Sequence, residues 1–285
     1  MKKYALVTEG GGKRGAYTAG CLKWLIDHNI EFDSCNAISA TAVFNSYFLA
    51  KDTKALETIS TKLLNDKQNI GIIPVFREFQ LMGYNFMFNH LLKREAPLDF
   101  EKVKQAKGKL QFGVYSKEEA KLVWVDNEML AKHPGYLQAS CVLPVAGRSV
   151  KIDKKHYLDG GIETMMPIFH AQATGNELFF CITTKHESYI REPNGKLLSF
   201  IINLLYFRYP KMIASINKRV EIYYQEMGRI EELIKDKKAL LMRPSKLLNV
   251  SRLSASTKDL EELFEMGYQD CENRKEEIIM FLGLN

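Results

Sequence analysis

Three short stretches of this chain have residue types and spacings that suit covalent chemistry. The first is "EGGGKRG", Glu9 to Gly15, which sets Gly10, Gly11, Gly12 and Gly15 directly after the apolar run "YALVT". Glycines clustered between a strand and a helix point to positive φ or to a ligand lying against bare N–H groups. The helix N-terminus that follows adds a partial positive charge, so the loop reads as an anion site. The second stretch is "NAISATA", where Ser39 stands at a bend between a strand and a helix. A serine there is presented as a nucleophile needs to be, although by itself it also suits a helix N-cap. The third is "YLDGGIETMMPI", with Asp159 ahead of Gly160 and Gly161. That carboxylate is a candidate base, and Asp-Gly by itself is also a type I′ hairpin signal.

Gly10-x-Gly12-x-x-Gly15 matches the dinucleotide fingerprint, which also requires an acidic residue at the end of the next strand. Glu31 and Asp33 fall near the required distance but precede that strand, which ends in Ser39. No Gly-Lys-Ser/Thr follows the loop, so a phosphate loop of the nucleotide-hydrolase kind is disfavoured as well. The histidines, at 28, 90, 133, 156, 170 and 186, stand in no marked setting. An oxyanion is therefore a better fit to the glycine loop than a pyrophosphate.

These stretches need elements to position them. "YALVTE" reads as a buried strand, and Ala19, Leu22, Leu25 and Ile26 recur at helical spacing after the glycines. "CNAIS" reads as a second strand and "ATAVFNSYFLA" as a helix entered directly from it. Further strands are expected at 110–116, 121–126, 177–184 and 238–244. Strand and helix in alternation argue for an α/β fold with a parallel sheet. Residues 197–235 are helix-prone and rich in charge, and the tail suggests one or two more helices. The turn signal at Arg191-Glu-Pro-Asn-Gly195 divides a catalytic core, 1–190, from a mainly helical extension packed on it, 191–285.

With 285 residues, 46% hydrophobic, the chain is long enough for a large core. A net charge of +6 suits an anionic partner without choosing one. The cysteines are odd in number and lack C-x-x-C spacing, so neither a disulfide framework nor a zinc site is expected, and a reducing compartment fits. Met-Lys-Lys at the start resembles a signal peptide's basic end, but Glu9 and Gly10 interrupt the apolar run that should follow. The longest apolar run, "LLSFIINLLYF", is well short of the roughly 20 residues a bilayer span needs. A cytoplasmic protein is expected.

In order and spacing, these segments resemble the patatin-like phospholipase family, especially its bacterial single-domain branch. "EGGGKRGAYTAGCLKWL" is similar to the family's glycine-rich loop and helix, and "NAISATA" occupies its G-x-S-x-G position, with Ala37 and Thr41 in place of the glycines. "ASCVLPV" resembles its turn ending in proline, and "YLDGGIETMMPI" its Asp-Gly-Gly motif. "RYPKMIASINKRVEIYY" and "LEELFEMGYQD" resemble its C-terminal region.

The resemblance implies a three-layer α/β/α patatin-like fold with a mostly parallel central sheet. It implies a Ser39–Asp159 dyad without histidine, and an oxyanion hole along Gly10, Gly11, Gly12, Lys13, Arg14 and Gly15. The reaction implied is hydrolysis of a phospholipid, lysophospholipid or neutral lipid ester, with no metal or other cofactor. Thr41, bulkier than glycine and β-branched, is expected to crowd the bend. A catalytically weak lipid-binding or regulatory protein on the same fold is the alternative. The partner expected is the lipid substrate, with no nucleic acid. The Phe-, Met- and Tyr-rich segment 71–95 suits a lid, an acyl channel or plain core. Residues 197–219 suit either a packing helix or peripheral contact with an anionic membrane surface.

Overall fold

The computed structural model describes residues 2–66 and 68–284. Eight strands form one sheet: β1 (Tyr4–Thr8), β2 (Ser34–Ile38), β3 (Lys109–Ser116), β4 (Lys121–Val125), β5 (Val150–Ile152), β6 (Lys155–Asp159), β7 (Leu178–Ile182) and β8 (Ala239–Met242). The order is β5-β6-β3-β2-β1-β7-β8, with β4 also paired to β3. The strands β3, β2, β1, β7 and β8 run parallel, and β4, β5 and β6 make the antiparallel part.

Side chains of the central strands alternate between two cores, as a period of two requires. Leu6, Phe180, Ile182 and Leu240 pack with α1 (Ala16–Asp27), α2 (Ala40–Ala50) and the helix Thr257–Asn273. Ala5, Val7, Phe179 and Leu241 pack with the helices Ile168–Ala173 and Arg219–Lys235 on the other face. Because both faces are covered, β1 and β7 read as nearly continuous apolar runs, and β2, although it carries Ser34 and Asn36, is buried throughout. The result is a three-layer α/β/α fold.

The segment 191–285 adds to both layers and to the sheet. Its edge strand β8 pairs with β7, and its helix Thr257–Asn273 lies against α1. That approach is very close: a Cβ on Gly20 would collide with the Phe264 backbone, and one on Gly267 with that of Tyr17. The helix-prone stretch from 197 is three helices, Lys196–Tyr206, Pro210–Asn217 and Arg219–Lys235. Pro210 opens the second, where its missing N–H costs nothing. No helix among the described residues is long and apolar enough to cross a membrane.

The Asp-Gly pair at 159–160 is not a hairpin turn. The hairpin joins β5 to β6 through Asp153 and Lys154, both at positive φ, and Asp159 ends β6. This hairpin escapes a sequence reading because its strands are short, three and five residues, and half polar.

Candidate active site

Strand β3 brings the serine and the aspartate together. Its residue Gly113 pairs with Ile38, the last residue of β2, and its next residue Val114 pairs with Asp159, the last residue of β6. Since β4 occupies the other side of both Gly113 and Val114, β2 and β6 meet end to end along one edge of β3. Gly160 then turns the chain over Gly113, where a Cβ would meet the Gly113 carbonyl. The Ser39 hydroxyl donates to Asp159 Oδ2 at 2.6 Å, and the Gly161 N–H donates to Oδ1 at 2.7 Å.

Ser39 adopts φ 64° and ψ −137°, a conformation that costs a non-glycine residue about 1–3 kcal/mol. It stands at the N-cap of α2, but its hydroxyl makes no capping bond and serves Asp159 instead. Thr41 does not crowd this bend. Its hydroxyl donates to the Ile38 carbonyl at 2.8 Å and accepts from the Ile38 N–H at 3.3 Å, tying helix to strand behind the serine. Ala37 is fully buried, and a Cβ on Gly10 would press on Ser39 Cβ at 3.1 Å. Ser140, in the "ASCVLPV" turn, donates to Leu137 at 2.8 Å and reaches the Ser39 carbonyl at 3.4 Å. The same turn receives the Asp159 N–H at the Val142 carbonyl, 2.9 Å away.

Asp159 is 1% exposed. Burial raises its pKa above the usual carboxylate value, opposed by the Ser39 and Gly161 hydrogen bonds and by the positive charges of Arg219 and Arg252. A buried carboxylate so raised accepts a proton from a hydroxyl more readily than an exposed one. None of the histidines lines the slot.

The glycine loop is anchored by Glu9. This buried carboxylate accepts from the Thr183 hydroxyl at 2.6 Å and the Thr184 N–H at 2.8 Å, and Lys185 Nζ lies 3.4 Å away. Burial pushes the Glu9 pKa up, but Lys185 and the threonines outweigh it and hold the group ionised below its usual value. Lys185, buried too, is pulled down to about 8.

The structure narrows the expected oxyanion donors. Gly10 N–H is spent on Met165 O at 3.0 Å, Lys13 N–H on Arg252 O at 3.1 Å, and Arg14 N–H on Gly11 O at 3.3 Å. Gly15 lies behind the loop, its α-carbon facing the Phe44 ring. The Lys13 side chain turns away to Asn65 Oδ1 at 2.7 Å. Gly11 and Gly12 N–H have no acceptor among the described residues. Gly11 lines the slot, and a Cβ on it would meet Thr184 at 2.7 Å. Gly12 sits at φ 56°, where a Cβ would stand 2.5 Å from the Arg252 carbonyl. Both positions therefore require glycine.

The slot over Ser39 is small, about 30 Å³. It adjoins an apolar groove of about 450 Å³ lined by Leu81, Leu143, Val145, Leu198, Ile202 and Leu253, and Arg14, Arg219 and Arg252 line both. The helix Lys196–Tyr206 lines the groove with Leu198 and Ile202 and exposes Leu197, Phe200 and Leu204, while Leu81 enters it from the segment after the helix Ile72–Glu78, where Ile72, Phe76 and Phe79 are exposed. Sequence reasoning missed Lys185, Arg191, Arg219 and Arg252, which line the slot. In the sequence they look like ordinary surface charge.

The sequence profile of patatin-like phospholipases matches residues 6–171 of the chain. A second profile, that of a domain of unknown function (DUF6363), matches residues 209–283. No curated protein matches. Among solved structures, the crystal structure of VipD from Legionella pneumophila is similar with a TM-score of 0.53. That likeness is at 13% identity, covers 97% of this chain and 67% of the VipD chain, and speaks to the fold.

Proposed function

The chain belongs to the patatin-like phospholipase family, and from that premise we propose that it is a serine acyl hydrolase of lipid esters, with Ser39 as nucleophile and Asp159 as base. The observation that carries this reading is the 2.6 Å contact from Ser39 Oγ to Asp159 Oδ2 in a slot lined by Gly11, whose N–H, like that of Gly12 next to it, has no acceptor among the described residues. In the reaction, Ser39 Oγ attacks the ester carbonyl and its proton passes to Asp159 Oδ2. Gly161 holds the other oxygen and so keeps the carboxylate aimed. The oxyanion takes up the Gly11 and Gly12 N–H groups, which are preorganised and need no reorientation. As the intermediate collapses, Asp159 returns the proton to the departing alcohol. Water activated by the same carboxylate then releases the fatty acid.

The apolar groove suits the acyl chain, and the exposed apolar faces beside it suit peripheral contact with a membrane. The segment 191–285 acts in the same site as an extension of the core 1–190, since it supplies groove and slot residues.

A fluorophosphonate probe tests the reading: it should label Ser39 and no other serine. A well-folded protein that resists labelling while binding vesicles would instead be a lipid binder without turnover. For the membrane contact, Phe76→Asp together with Phe200→Asp should reduce turnover of vesicle-borne lipid more than that of a soluble ester. Equal reduction of both would remove the docking role.

A further inference from the structure

Arg14, Arg191, Arg219 and Arg252 converge on the slot, where Asp159 offsets only part of their charge and none of the four forms an ion pair among the described residues. The arginines that form ion pairs, Arg77, Arg229 and Arg274, lie elsewhere. Of the carboxylates nearby, Glu9 is committed to Lys185 and the threonines, Glu226 to Thr164 and the Met165 and Met166 N–H groups, and Asp159 to Ser39. Among the described residues, Arg219 has only Met165 Sδ as a polar partner, at 3.7 Å. The Nε–H groups of Arg14 and Arg219 are buried without an acceptor among the described residues. Arg14 lies over the Tyr189 ring at 5.6 Å and Arg191 over the Tyr223 ring at 5.1 Å, contacts that fix the side chains without neutralising them. Burial, and repulsion from Arg252 and Arg191, bring the pKa of Arg219 down to about 9.

Such a cluster is costly to hold unless a ligand relieves it. Guanidinium forks match the oxygens of phosphate, and an unsubstituted phosphate offers three of them and nearly two charges. A choline or ethanolamine headgroup would bring a further cation toward four like charges. A neutral glyceride would leave all four unmatched.

We propose that the four arginines form a phosphomonoester site, so that the preferred substrate is a fatty-acid ester of a glycerol-phosphate type lipid with an unsubstituted phosphate. The substrate class rests on the acyl-hydrolase reading, but the anion site does not. Three of its four arginines, at 191, 219 and 252, fall outside the span matched by the phospholipase profile. The C-terminal segment is therefore the specificity-determining part, reading the headgroup while the N-terminal part does the chemistry.

The test is calorimetric binding to Ser39→Ala, which does not depend on turnover. The ligands are soluble hexanoyl glycerol 3-phosphate, hexanoyl glycerol, hexanoyl glycerophosphocholine and inorganic phosphate. The phosphomonoester should bind at least about tenfold more tightly than the neutral and zwitterionic esters, the equivalent of one charge-assisted hydrogen bond. That preference should shrink as salt rises, and should be lost in Arg219→Gln and in Arg191→Gln, the second being the fallback if the first misfolds. Equal binding of all three esters overturns the proposal. Inorganic phosphate binding as tightly as the acylated phosphate also overturns it, since the cluster would then hold a free anion and not a substrate headgroup. In the wild type, kcat/KM should rank the three esters in the same order. Ser39→Ala binding selectively where the wild type turns over none of them would keep the site and discard the hydrolase.

Discussion

The two ends of the chain bring positive charge to one slot by different physical means. Near the N-terminus the charge is mostly backbone, the Gly11 and Gly12 amides beside the first helices, with Arg14 as a side-chain cation that also lines the slot. From residue 191 onward it is side chain: Arg191, Arg219 and Arg252. Backbone donors are short, fixed and lie against the reacting atoms, so they suit charge that appears only in the transition state. Guanidinia are long and permanently charged, so they suit charge already present in the ground state. On the proposed reading, one end accelerates and the other selects.

The comparison can be broken most decisively at the dyad. Ser39→Ala and Asp159→Asn should each lower esterase kcat on the order of 10⁴-fold or more, measured on a short soluble ester with folding checked by circular dichroism. Turnover persisting in Ser39→Ala would remove the chemistry from this end altogether. Next in size is Gly12→Ala, which strains a positive φ and pushes on the Arg252 carbonyl. It should cost roughly 10²–10³ in kcat, the loss of one oxyanion donor. A change in KM alone would show that the loop binds substrate and does not serve the transition state.

A smaller effect couples the two ends. Arg252 and Arg219 lower the Asp159 pKa against the burial that raises it. Arg252→Gln should therefore raise that pKa further and move the acid limb of the kcat/KM profile to higher pH, because the base must be ionised. An unmoved limb would separate the arginines electrostatically from the chemistry.

The smallest effect is on stability. Glu226 is buried, accepts from Thr164 and from the Met165 and Met166 N–H groups, and is raised by burial to about 7. A carboxylate with a higher pKa folded than unfolded stabilises fully below the usual 4.5. Its contribution fades as pH rises and is gone once pH passes about 7. The melting temperature of the wild type should fall relative to Glu226→Gln across that interval and run parallel above it. Parallel curves throughout would deny the shift.

What the sequence disclosed follows the same division. Backbone requirements leave local marks: glycines where a Cβ will not fit, a serine at a bend, and an aspartate before glycines. The parallel strands β1 and β7 were legible because both faces are buried, which makes them nearly continuous apolar runs. The arginines left no mark, since each sits on a different element and only folding gathers them. The β5–β6 hairpin was missed for want of apolar alternation, although it delivers Asp159 to β3. The edge-sharing of β2 and β6 along β3 is a fact of pairing that no single segment contains.

The contact between α1 and the helix Thr257–Asn273 also bears on how the molecule is made. Gly20 and Gly267 let the two backbones touch, so each helix is a bare surface until the other arrives. On the ribosome α1 is finished at Asp27, and its partner begins at Thr257. At roughly 5–20 residues per second, α1 waits on the order of 10–50 s with that surface uncovered. During that interval the nascent chain is a natural client for a holding chaperone, and Arg252, emitted just before the partner helix, joins the slot only as the wait ends.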